Sequence, residues 1–81
     1  MSFRELDVVY VAQLLTSTRP VDGTGAVVRQ PRVGDLGTIV NVLGENAFTV
    51  ECVDEGGLTL WLADFLTEEL EARLDAAKTR P

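Results

Sequence analysis

The residues able to do chemistry are few, and the gaps among them narrow the field first. The chain of 81 residues has no histidine and one cysteine, so neither a Ser-His nor a Cys-His nucleophile pair can be assembled, and the commonest transition-metal ligand is missing. Cys52 has no basic sequence neighbour to draw its thiol toward thiolate, and it sits in the alternation Phe48, Val50, Cys52 that marks an inert core position. Glu51, Asp54, Glu55 and Asp64 carry oxygens of the kind that hold Ca²⁺ or Mg²⁺, yet the Asp-x-Asp-x-Asp-Gly spacing that fixes such a loop is absent. They read as solvated acidic turns. Paired carboxylates can also act as general acid and base where an apolar pocket raises one of them, and the sequence gives no sign of such a pocket. Gly23-Thr24-Gly25 and Gly56-Gly57 lack the lysine and the strand-to-helix setting of a phosphate loop. The expectation is no catalytic, cofactor-binding or metal-binding residue, and a protein that is not an enzyme.

What remains is residues that could touch a partner. Thirteen acids against seven bases give a net charge of −6, which opposes approach to a polyanion wherever screening is incomplete and disfavours nucleic acid. Arg19, Arg29 and Arg32 nevertheless surround a single acid, Asp22, whereas most carboxylates crowd the second half of the chain. They are candidate contacts of a local basic loop, although no aromatic neighbour supplies a stacking platform for a nucleic-acid strand, and solvated loop residues are the plainer reading. Trp61 is a further candidate, since half-exposed tryptophans anchor interfaces.

These residues must be positioned by a small frame. A chain of this length forms one domain and buries somewhat over about 60% of its unfolded surface. Leu6 to Leu14 is rich in β-branched and aromatic residues on both faces and reads as a central strand. Residues 15–32 turn to Thr, Ser, Arg, Pro and Gly around a short Ala26-Val27-Val28 patch, a long decorated loop with room for its own hairpin. Leu36 to Leu43 is a second strand, Gly44-Glu45-Asn46 a tight turn, and Ala47 to Val53 a third strand with one buried face. Asp54-Glu55-Gly56-Gly57 turns the chain into Leu58 to Leu62, where Leu58, Leu60 and Leu62 face one way and Trp61 the other. If the leucines fill the core, the indole lies outside unless the C-terminal segment covers it.

Arg32-Val33-Gly34-Asp35-Leu36-Gly37-Thr38-Ile39-Val40 is the densest structural signal. Gly34 can take a positive φ, the Asp35 carboxylate can accept from nearby backbone N–H groups, and Gly37 lets the chain swing into a strand without a Cβ clash. That is how a small β-barrel turns a corner. Beyond residue 66 the period changes: Thr67 suits an N-cap, Glu68 and Glu69 a first helical turn, and Leu66, Leu70 and Leu74 recur every four residues. Residues 67–81 are therefore expected to form a short α-helix and tail, with Leu70 and Leu74 as a narrow stripe that must pack on the barrel or on a second copy.

Asp7-Val8-Val9, Gly34 to Val40, Phe48-Thr49-Val50-Glu51, Val53-Asp54, Gly57 and Ala63-Asp64-Phe65-Leu66 together resemble a small bacterial family of SH3-like barrel proteins of unknown function. Gly34-Asp35-Leu36-Gly37-Thr38-Ile39 is similar to the Gly-Asp-x-Gly-x-Val motif of KOW-type SH3-like domains. The resemblance covers roughly residues 6 to 66 and implies a mainly β fold, a barrel of about five strands over residues 1–66, with the loop at 15–32 longer than such relatives carry and the terminal helix extra to the barrel. It says little about partners. KOW domains often touch RNA or polymerase, and other SH3-like domains are docking pieces of multisubunit enzymes. The expected function is a non-catalytic interaction or assembly module binding a protein or itself, against a KOW-like nucleic-acid- or ribosome-associated module or an enzyme accessory domain. The start Met1-Ser2-Phe3-Arg4-Glu5 does not read as a secretory leader, and no apolar run nears the roughly 18 residues of a membrane helix. A bacterial, cytoplasmic, acidic protein is expected.

Overall fold

The computed structural model describes residues 3–16 and 28–73. In them β1 (Val8–Val11), β2 (Leu36–Val42), β3 (Ala47–Val53), β4 (Thr59–Leu66) and β5 (Leu70–Ala72) form one antiparallel sheet in the order β4-β3-β2-β1-β5. The apolar run of β1 does lie centrally, between β2 and β5. Both predicted hairpin turns are present. Leu43 N–H donates to the Ala47 carbonyl at 2.9 Å across the first. In the second, Asp54 Oδ1 accepts from the Gly56 and Leu58 N–H groups at 2.8 and 2.9 Å, and Gly57 takes φ +89°. That φ suits a residue without a Cβ. Among the described residues no helix is long and apolar enough to cross a membrane.

Alternation sorts the core. Val9 and Val11, Ile39, Phe48, Val50 and Cys52, and Trp61, Ala63 and Phe65 all point inward and are buried, with Leu70 closing the set from β5. Trp61 and Phe65 meet with their rings tilted at 51° and 5.3 Å between centroids, and Phe3 meets Phe48 edge-on at 5.6 Å. Such contacts supply much of a small domain's burial energy.

Two expectations fail here. The first is the face of β4: Trp61 is fully buried, whereas Leu58 is 54% exposed and Leu60 and Leu62 are only partly buried. The strand runs on to Leu66, so the inward set is Trp61, Ala63 and Phe65, and Asp64 falls on the leucine side. The second is the helix from Thr67. Thr67–Glu69 is a single 3₁₀ turn and Leu70–Ala72 is β5, paired with Val9 to Val11. Leu66 and Leu70, spaced like a helical stripe, instead flank that turn, Leu66 exposed and Leu70 buried against the core. Pairing with β1 outweighs local propensity. Leu74 and the rest of the expected helix lie outside the described residues.

Candidate functional site

Asp35 gathers most of the residues singled out by sequence. It follows the Val33-Gly34 turn, where Gly34 has φ +96° and its N–H reaches the Val11 carbonyl at 2.8 Å. The positive φ anticipated at Gly34 is present. One carboxylate oxygen, Oδ2, accepts from Arg29 Nη1 at 2.7 Å, Trp61 Nε1 at 2.9 Å and the Arg32 N–H at 2.9 Å, while Oδ1 accepts from Arg29 Nη2 at 3.1 Å. The Arg29 and Asp35 side chains are 24% and 14% exposed, so this two-pronged ion pair is half-sheltered from solvent. Burial pulls the Asp35 carboxyl upward, but the bonds from Arg29, Trp61 and the Arg32 N–H outweigh it and hold the group below its ordinary range. The bond to Asp35 raises Arg29 in turn, against the opposing effect of burial.

The arrangement is a fastening. Val28 and Arg29 N–H groups both donate to the Leu60 carbonyl, at 2.9 and 3.2 Å, next to Trp61 on β4. Asp35 thus ties the end of the 15–32 loop, the start of β2 and β4 into one node. The Asp35 charge, the Arg29 Nη groups and the Trp61 N–H are paired within the protein. Trp61 and Arg29, expected as partner contacts, are engaged here instead, and a fully buried indole offers no surface to a partner. Arg32 contributes its backbone N–H to the same carboxylate and is exposed. Leu70 belongs to the core, while Arg19 and Leu74 lie outside the described residues.

Gly37 serves differently from its expected corner role. It lies within β2, paired with Val9, and a Cβ there would stand 2.6 Å from Val50 Cγ1 and 3.0 Å from the Glu51 carbonyl oxygen. The glycine admits β3, rather than permitting a swing. Cys52 lies in the core, its thiol pushed up by burial and further by the Asp35 charge, with Arg29 pulling the other way. That is the reverse of an activated nucleophile.

The carboxylates considered as metal ligands are likewise occupied or dispersed. Asp54 holds its own turn, Glu51 Oε2 accepts from Thr59 Oγ1 at 2.7 Å, and Asp64 Oδ1 accepts from Thr49 Oγ1 at 2.8 Å. Among the described residues no group of three or more His, Cys, Asp or Glu side chains is placed to hold a metal ion.

The outer face of the sheet is the surface that sequence reasoning missed. Val8, Thr38, Glu51 and Leu62 are register partners across β1 to β4, and Glu71, Tyr10 and Leu36 form an adjacent row across β5, β1 and β2. Val8, Tyr10 and Val53 are 36%, 38% and 49% exposed. Reading the apolar residues of β1 as buried on both sides concealed them. The cue was available in Glu51 and Glu71, whose parity marks the outward side of β3 and β5. Elsewhere an open groove of about 240 Å³ lies among Leu15, Thr16, Ala47, Phe65 and Leu66.

The chain matches no known family model, no curated protein and no solved structure.

Proposed function

We propose that the protein is a non-catalytic interaction module built as a small SH3-like barrel and acting in the bacterial cytoplasm. One feature of the topology supports the barrel: β4 and β5 are the two ends of the sheet order, yet only Thr67–Glu69 separates them in the chain. So short a link draws the two ends of the sheet toward each other. The observation that carries the interaction reading is a division of labour. Arg29, Asp35 and Trp61 are consumed in an internal node, while Val8, Tyr10 and Val53 stay on the outer face. Exposed apolar side chains gathered on one face are what protein interfaces use. An accessory piece of a multisubunit enzyme would use the same surface with a fixed partner.

The test is affinity capture from native extract, followed by reconstitution with the purified captured protein. A one-to-one complex of micromolar or tighter affinity is expected. Fluorescence anisotropy with single- and double-stranded nucleic acid should show no binding at physiological salt, given the net charge of −6. Nucleic-acid affinity in the micromolar range that Arg19→Ala and Arg32→Ala abolish would replace this reading with the KOW-like one.

A further inference from the structure

Resting on the interaction reading, we infer that the outer face of β1 to β4 docks a protein segment that is both apolar and basic. The apolar part is set by register: Val8 and Tyr10 on β1, Leu36 on β2 and Leu62 on β4 project to one side of the sheet. Glu51 stands between Thr38 and Leu62 in one row, and Glu71 stands beside Tyr10 in the next. Glu51 already accepts one bond from Thr59 through Oε2, which fixes the carboxylate in place. Arg73, whose N–H donates to the Val8 carbonyl, marks the β5 margin of this face.

Charge decides the occupant. Glu51 and Glu71 in the apolar patch, with Asp64 on the same side of β4, penalise an uncompensated or acidic partner on desolvation, and lysine or arginine on the partner removes that penalty. A second copy of this chain brings another net −6 and sets like charges against each other at long range. Nucleic acid is repelled for the same reason and finds no exposed aromatic row here. An extended or helical segment carrying leucine-type side chains with interspersed lysines satisfies both parts of the face.

The experiment is a ¹⁵N chemical-shift titration of the full chain with two synthetic amphipathic peptides, one of leucine and lysine and one with glutamate at every lysine position. The expected result is shift changes centred on Val8, Tyr10, Glu51 and Leu62 with the lysine peptide and none with the glutamate peptide. Glu71→Lys, at an exposed position, should weaken that binding at least tenfold, and Tyr10→Ser should do the same with an unchanged circular dichroism spectrum. Glu71→Lys alone carries the test if Tyr10→Ser does not fold. Shifts centred on the Leu15 and Leu66 groove, equal binding of both peptides, no shifts at millimolar peptide, or a dimer formed through this face would each overturn the inference. If a reconstituted partner maps to another surface, this inference fails while the interaction reading stands; nucleic-acid binding removes both.

Discussion

Trp61 and Asp35, 26 residues apart in sequence, meet through a 2.9 Å hydrogen bond from the indole N–H to Oδ2. A fully buried tryptophan needs an acceptor for that N–H, and the acceptor here is the same oxygen that takes Arg29 and the Arg32 N–H. The acid of the Gly-Asp turn is therefore an organiser of the core rim.

Asp35→Asn keeps the shape and removes the charge, so it should destabilise the protein by about 1–3 kcal/mol in urea denaturation at neutral pH. The pH dependence has a definite sign. The folded-state pKa lies below the ordinary 3.8, so near that pH the unfolded state binds more protons and stability rises with pH. The Asp35 contribution is complete above the ordinary value and is lost as pH falls through the lowered folded value. The parent should thus lead Asp35→Asn by its full margin at pH 6 and lose that lead on acidification. A constant gap down to about pH 2 would mean that the carboxylate charge is not the stabilising element.

Gly37 offers a steric test. Its missing Cβ faces Val50 Cγ1 at 2.6 Å and the Glu51 carbonyl at 3.0 Å, and Val50 is fully buried and β-branched. Neither neighbour can yield cheaply. Gly37→Ala should cost about 1–3 kcal/mol, and Gly37→Val more. Gly44 has open space around it, so Gly44→Ala should stay within about 0.5 kcal/mol of the parent. Equal denaturation midpoints for the two alanine variants would refute the close approach of β2 and β3.

The contrast between these glycines shows what was legible in the sequence. Local signals carried through: the alternation of Phe48, Val50 and Cys52, the turns at Gly44 and Gly57, the positive φ at Gly34 and the Asp35 bond to the Arg32 N–H are short-range consequences of residue type. Long-range partners were not legible. Nothing near Trp61 in sequence announces Asp35, and three leucines outvoted one indole in assigning the inward face of β4. Following the alternation on to Ala63, Asp64 and Phe65 would have reversed that assignment, because an acid on the leucine side marks it as outward. The Leu66 and Leu70 spacing suited a helix until β1 supplied a pairing edge, an event that no local window contains.

Cys52 gives a chemical check on the core. It is 5% exposed, and burial followed by the Asp35 charge raises its thiol pKa. A colorimetric disulfide reagent at neutral pH should leave the native protein nearly unmodified and label one thiol per chain in denaturant. The native labelling rate should increase in Asp35→Asn, its logarithm scaling with the lost stability. Rapid labelling of the native parent would place the thiol outside the core.

Glu69 is the other carboxylate with a structural task, and it is almost wholly buried. Its Oε1 accepts from the Leu66 N–H and its Oε2 from the Leu15 N–H, both at 2.9 Å, so it stitches the end of β4 to Leu15, which lies 54 positions before Glu69 itself. Its own carbonyl accepts from Ala12 and Gln13. The 3₁₀ turn is thereby held against the chain leaving β1. Glu69→Ala strips both N–H groups of their acceptor and should cost about 1–3 kcal/mol or more, whereas Glu68→Ala, at an exposed position, should be nearly neutral. Glu69→Gln should fall between, because its amide oxygen can serve one N–H while its NH₂ faces the other donor. Hydrogen exchange gives the sharper readout: the Leu15 and Leu66 amides should lose protection in Glu69→Ala while Val50, deep in β3, keeps most of its own. If Leu15 exchanges at the same rate in parent and variant, Glu69 does not fasten the loop.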